Sequence, residues 1–230
     1  PRGNRSFFYP SISTSWVISD MLEKIDKPLP EWFTYAKLRG SYAEVGNSLE
    51  PYQLYNTYTI GQAPDNTTTV SQDKVLYNSN VRSELIKSWE FGAEIRFFNN
   101  RLGFDFSWYK SNATRQLIDL PMDNLSGYEK RKVNAGNIEN KGFELMVNAR
   151  PIETRTGFSW DLMVNFSANK NRIIELYKTA NEEVNLYPLG GYDNLQVYAK
   201  AGGNYGEIWG TVLQRVTDKN SPYYGKLITQ

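Results

Sequence analysis

Apolar residues in this chain are not gathered into blocks. They alternate with polar ones. In residues 89–97, Trp89, Phe91, Ala93, Ile95 and Phe97 fall on one parity, and Glu90, Gly92, Glu94 and Arg96 on the other. Successive side chains of a strand point to opposite faces, so this period of two predicts a strand with one apolar and one polar face. Residues 102–109 repeat it, with Leu102, Phe104, Phe106 and Trp108 against Gly103, Asp105, Ser107 and Tyr109. Asn99-Asn100 stands between the two runs, and adjacent Asn residues tolerate the left-handed backbone of a tight hairpin turn.

The same alternation marks residues 8–18, 33–45, 141–149 and 158–168, and more weakly 206–214. Pro10 cannot donate to a ladder, which places it at an edge or bulge. Helix signals are scarce: 19–27 would make a short helix and 171–178 a turn or two, neither with a convincing amphipathic stripe. Short links at 99–100 and 150–157 and a medium one at 19–32 alternate with long polar links at about 46–86, 111–133 and 170–205. In an antiparallel meander alternate connections share an end, so the long links all fall on one side. Three loops longer than about 15 residues are unusual in a compact soluble domain.

The faces admit two readings. In a soluble all-β carbohydrate-binding or adhesion domain, the apolar face would be the core of a sandwich. In an outer-membrane barrel, it would face lipid along strands of about 9–11 residues, with aromatic girdles at both interfaces. Trp16, Tyr42, Trp89, Trp108 and Trp160 lie toward strand ends on the apolar parity, as a girdle requires. No run of apolar residues is long enough for a membrane helix.

Composition then removes chemistry. The 230 residues contain no Cys and no His, which excludes disulfides, thiolate nucleophiles, His general bases and the common zinc sets. Lys and Arg number 26 against 25 Asp and Glu, so no basic excess points to nucleic acid. A mean hydropathy of −0.57 beside 16 Tyr, 11 Phe and 6 Trp fits rings dispersed singly among polar residues. What remains for catalysis is a carboxylate pair, as in glycosidases, or a Ser–Lys arrangement. Glu90, Glu94, Asp105, Glu144 and Asp161 all sit on polar strand faces beside Lys37, Arg39 and Arg96, where a hydrated wall with cross-strand charge pairs is the simpler role. Gly202-Gly203-Asn204-Tyr205-Gly206 lacks the Lys-Ser/Thr of a phosphate loop and reads as a turn entering a strand.

Several stretches in order resemble the SusC/RagA-type TonB-linked outer-membrane receptors of Bacteroidota. They are Phe7–Ser19, Lys37–Tyr42 with Val45-Gly46-Asn47, Ser88–Gly92, Phe97–Leu102, Trp108–Lys110, Asn134–Leu145, Phe158–Trp160, Asn165–Arg172 and Gly206–Gly210. The resemblance spans nearly the whole chain. It implies an antiparallel meander forming part of a large plugged barrel of about 22 strands. Residues 1–230 would be an internal segment of it, because no plug, TonB box or N-terminal extension is recognisable and Leu227–Gln230 lacks a terminal aromatic. It further implies uptake of glycans, oligosaccharides or peptides with a SusD-like surface lipoprotein and TonB as partners, in the lipid bilayer of the outer membrane. No cofactor, metal or catalysis is implied. Within the long links, Tyr52, Tyr55 and Tyr58 in the first and Tyr187 and Tyr192 in the third are the candidate ligand contacts. Aromatic faces stack on sugars and pack against peptide side chains, and the competing role is packing of the loops on one another.

Overall fold

Residues 89–97 and 102–109 fold as the hairpin their alternation predicts, with Phe97 paired to Leu102. Asn99 and Asn100 hold φ of 53° and 65° in the turn, and Arg101 N–H donates to the Phe98 carbonyl at 3.1 Å. The structure, a computed structural model, describes residues 7–51, 54–179, 181, 183–211 and 213–227. In chain order the elements are β1 (Ser11–Val17), the helix α1 (Ile18–Lys24), β2 (Phe33–Asn47), β3 (Tyr58–Gln62), β4 (Thr68–Gln72), β5 (Val75–Leu76), β6 (Glu84–Phe97) and β7 (Leu102–Pro121). They continue with β8 (Lys130–Glu153), β9 (Ser159–Glu175), β10 (Tyr177–Lys178), β11 (Glu183–Val184), β12 (Leu186–Tyr192), β13 (Leu195–Lys200) and β14 (Tyr205–Gly210).

Six of these strands make one antiparallel wall in the order β1-β2-β6-β7-β8-β9, and β5 adds a short parallel pair at the far end of β8. Pro10 lies just before β1, an edge strand, where its missing N–H breaks no ladder bond. Register fixes the faces. One rung across all six strands reads Trp16, Leu38, Ala93, Phe106, Leu145 and Phe166. The neighbouring rung on the other face reads Arg39, Gly92, Ser107, Glu144 and Ser167 across β2, β6, β7, β8 and β9. A one-residue slip would exchange every side chain between these faces.

No second sheet covers the apolar face among the described residues. Phe91 is 51% exposed near the loop end of this face and Phe166 56% exposed at its centre. In water such a band is an unfavourable patch, whereas each half-exposed ring moved into hydrocarbon gains roughly 1 kcal/mol, about half the value for full burial. Aromatic residues bound the band at both ends. Trp32 stacks on Phe97 at the turn end, with ring centroids 5.8 Å apart, and Tyr42 meets Trp89 at the loop end, at 4.5 Å. The buried core lies elsewhere: its two largest fully buried side chains, Leu120 and Ile173, sit toward the loop-side ends of β7 and β9.

The strands run further than the alternation predicts. The stretch 111–133, expected as a long loop, is mostly the far ends of β7 and β8, leaving 122–129 as the connection. The stretch 46–86 holds the end of β2, the hairpin β3–β4, β5 and the start of β6, and 170–205 holds the end of β9 and the strands β10 to β13. Residues 171–178 form strand and not helical turns, and the segment near 206 is β14, paired to β13 outside the wall. These segments share a reason. Beyond the apolar band neither face is uniformly apolar, so the strands keep their hydrogen bonds but lose the pattern that advertises them. At the turn end α1 lies in the medium link as expected, while β8 runs through Glu153 and shortens the link expected over 150–157 to 154–158, closed by Thr154 N–H donating to the Phe158 carbonyl at 2.8 Å.

Candidate functional site

On the polar face the main feature is a charge network that crosses a strand. Arg39 on β2 donates through its two terminal nitrogens to both carboxylate oxygens of Asp105 on β7, at 2.6 and 3.1 Å, and to Ser107 Oγ at 2.5 Å. The intervening strand is β6, and the position passed over is Gly92. A Cβ there would collide with the Arg39 guanidinium, so Gly92 is the slot that admits the bidentate pair. Gly142 has the same relation to Tyr109, whose ring lies across β8 at that point. The expected pairing of polar-face charges is thus present in longer and shorter forms. Arg150 joins Asp161 across the β8–β9 pair at 2.7 Å, while Arg96 turns back to Glu94 on its own strand at 2.9 Å. An open depression of about 340 Å³ lies beside the network, lined by Ser13, Ser15, Lys37, Arg39, Ser41 and Glu90. These are groups suited to hydrating a channel wall and to weak, repeated contact with polar solutes.

Above the wall, chain topology folds the third long link into a three-stranded sheet, β12-β13-β14. It docks on the polar-face side. Ile138 and Ile173 share the parity of Asn140 and Asn171 on that face, and they pack with Leu176, Tyr187, Leu189 and Ala199. Backbone bonds secure the contact: Ile173 N–H donates to the Gly203 carbonyl at 2.9 Å, and Gly202 N–H to the Ile173 carbonyl at 2.7 Å. Gly202, at φ 80°, takes a left-handed conformation that other residues adopt only with strain. The glycine-rich turn therefore enters a strand and also braces the loop sheet. Arg115 and Gly136, opposite each other with φ of 59° and 80°, interrupt the alternation of β7 and β8. Past that point Leu120, Val133 and Ala135 pack against Tyr187 as well.

The candidate tyrosines divide by placement. Tyr52 lies outside the described residues. Tyr55 and Tyr58 are exposed in the first link, and Tyr192 is 87% exposed at the tip of the β12–β13 hairpin. Tyr187 is engaged in packing: its ring bridges both buried clusters, and its hydroxyl donates to the Asp119 carbonyl at 3.1 Å. No contact brings Tyr55 or Tyr58 together with Tyr192 among the described residues. Sequence reasoning missed a second group. Lys132 pairs with Asp119 at 2.9 Å and lies 5.8 Å over the Tyr77 ring, and the Tyr77 hydroxyl donates to Asp73 at 3.0 Å. Burial, then the Asp73 hydrogen bond, raise the Tyr77 hydroxyl above the usual phenol range. Asp119, Lys132, Ile138, Tyr187 and Tyr205 help to line a cavity of about 280 Å³ between wall and loop sheet. No pattern in 111–133 announces this group, because its members lie on strands that alternation does not mark.

A sheet whose one face is a bare apolar band between aromatic girdles, and whose other face is charged and hydrated, is the wall of a transmembrane β-barrel. Its six wall strands do not close on themselves. The TonB dependent receptor-like β-barrel family model matches residues 1–228, and the chain belongs to that family of outer-membrane barrels. Similar curated proteins include TonB-dependent receptor P3 of Formosa agariphila, 29% identical over 76% of this chain and 17% of the relative. TonB-dependent receptor SusC of Bacteroides thetaiotaomicron is 27% identical over 95% of this chain and 22% of its own length. The chain thus spans about a fifth of the relatives it matches. Among solved structures, a chain of the RagAB peptide transporter superposes with a TM-score of 0.72 at 23% identity, over 88% of this chain and 21% of its own, which shows a shared fold.

Proposed function

We propose that this chain supplies wall and extracellular loops to an outer-membrane importer. The complete receptor would take up glycans, oligosaccharides or peptides, with a SusD-like surface lipoprotein and TonB as partners. The observation that carries this reading is the division of the wall: a lipid-type face on one parity and the Arg39–Asp105–Ser107 network on the other. Family membership supports the import class, and the structural neighbour RagAB is by its title a peptide transporter. Loops gathered at one end, with the β12–β14 sheet folded over the polar face, suit capture at the mouth of a lumen. Tyr55, Tyr58 and Tyr192 are its solvent-facing aromatic contacts, and Tyr187 is a contact that also packs the loop sheet onto the wall.

The test uses the full-length receptor in intact cells, with fluorescent oligosaccharides and oligopeptides of graded length. At least one class should enter, and collapse of the proton gradient should stop its entry. Replacing Tyr55 and Tyr192 together by Ala should weaken surface binding about tenfold, as loss of roughly 1.4 kcal/mol of ring contact implies. Uptake of every probe unchanged by deletion of the receptor would refute the importer, and unchanged binding by the double variant would remove these rings from the ligand site.

A further inference from the structure

The loop end of the apolar face carries an arrangement that neither wall nor lumen explains. Across β6, β7, β8 and β9, the last rung of the band reads Phe91, Trp108, Phe143 and Ala168. The next rung toward the loops reads Trp89, Lys110, Lys141 and Lys170. Three ammonium groups thus stand directly opposite one another on neighbouring strands about 4.8 Å apart, an arrangement that costs stability. Glu139, one rung further, serves two of them, at 2.9 Å to Lys110 and 2.8 Å to Lys141. Lys170 is exposed and makes no ion pair among the described residues. That further rung is balanced, with Glu44, Lys87, Asn112, Glu139 and Arg172. The excess of positive charge is therefore confined to the row that borders the band. At the turn end, where Trp32 and Phe97 stack, no comparable row follows among the described residues.

We propose that this row docks a phosphorylated glycolipid of the outer leaflet. Its phosphates sit on Lys110, Lys141 and Lys170, and its acyl chains run down Phe91, Trp108, Phe143 and Phe166. Lysine suits the role, because its flexible stem lies along apolar surface while the ammonium meets a headgroup oxygen. The position suits it too, since phosphates occupy the depth just beyond the chains, where this row borders the aromatic rung. An anion there turns mutual repulsion among the lysines into attraction. The assignment rests on the proposed orientation, with the loop end outside.

Two measurements on the full-length receptor test it. The probe is diphosphoryl lipid A presented in phosphatidylcholine nanodiscs. The combined variant K110Q/K141Q/K170Q should bind it at least tenfold more weakly, while K37Q on the polar face binds as the parent does. Lipid A stripped of phosphates should bind the parent no better than the triple variant, and millimolar inorganic phosphate should not displace the lipid. If the triple variant does not fold, K170Q alone should weaken binding severalfold, because Lys170 makes no ion pair among the described residues. Unchanged affinity in these variants, or full displacement by inorganic phosphate, would overturn the proposal. Orientation is read separately by Asp193→Cys at the β12–β13 tip, as this chain has no Cys of its own. Labelling by a membrane-impermeant maleimide in intact cells with unchanged lipid binding refutes the lipid site alone. Absence of labelling refutes the orientation and, with it, both readings.

Discussion

Leu145→Arg in the full-length receptor should lower folding stability in a bilayer by about 2–4 kcal/mol, whereas Asn165→Arg should change it by less than about 1 kcal/mol. The two positions are close neighbours. Leu145 pairs with Phe106 and Phe166 in the middle of the apolar rung, and Asn165 pairs with Met146 on the opposite face. A guanidinium at position 145 must be held in hydrocarbon or drag water to it. At position 165 the same group joins a hydrated surface. Denaturant titration of receptor refolded into phosphatidylcholine vesicles measures both, with heat-modifiable gel migration reporting the folded fraction. Equal losses at the two positions would mean that both faces meet the same medium.

Ala199→Arg should release the loop sheet and leave the wall in place. Ala199 is 1% exposed and packs with Ile173, which is fully buried, and with Leu176. A long cation there overfills the contact and buries an unpaired charge, at a cost of about 3 kcal/mol. That loss raises the undocked population, and with it the rate of proteolysis within 176–210, about a hundredfold when reclosing outpaces cleavage. The β6–β7 hairpin lies outside this contact and should stay resistant. Loop cleavage at the parental rate would show that the sheet is not held to the wall through Ala199.

How far these features were legible in the sequence follows from where each segment meets lipid. Trp89–Phe97 and Leu102–Trp108 declare their strands because one face must be apolar to the last residue, and Asn99-Asn100 declares its turn through the φ angles that asparagine tolerates. The same rule assigned Asp105, Glu90 and Glu94 to the polar face. It could not show that Arg39 passes over Gly92 to reach a strand two places away, because glycine leaves no mark in an alternation pattern. Outside the band the rule fails. Ser111–Pro121 and Lys130–Asn140 are strands beyond the band, partly covered by the loop sheet, and their left-handed Arg115 and Gly136 and their Asn, Lys and Thr content read as loop. Leu186–Tyr192 hides a strand behind Pro188, Gly190 and Gly191, where the register also shifts. Tyr187 shows the consequence for the site: its place in a long link marked it as a candidate ligand contact, and only the docked sheet reveals that it also packs between loop sheet and wall. The lysine row was readable only in register, since Lys110, Lys141 and Lys170 lie about thirty residues apart in sequence.

The central claim is that this chain is a barrel wall with lipid on one parity and water on the other. A nitroxide scan of single cysteines at positions 143–149 of β8, in the full-length receptor reconstituted into vesicles, tests it most directly. Collision with molecular oxygen, which concentrates in lipid, should peak at 143, 145, 147 and 149. Collision with a water-soluble nickel chelate should peak at 144, 146 and 148. A scan without alternation, or one with water reaching the odd positions, would contradict the account.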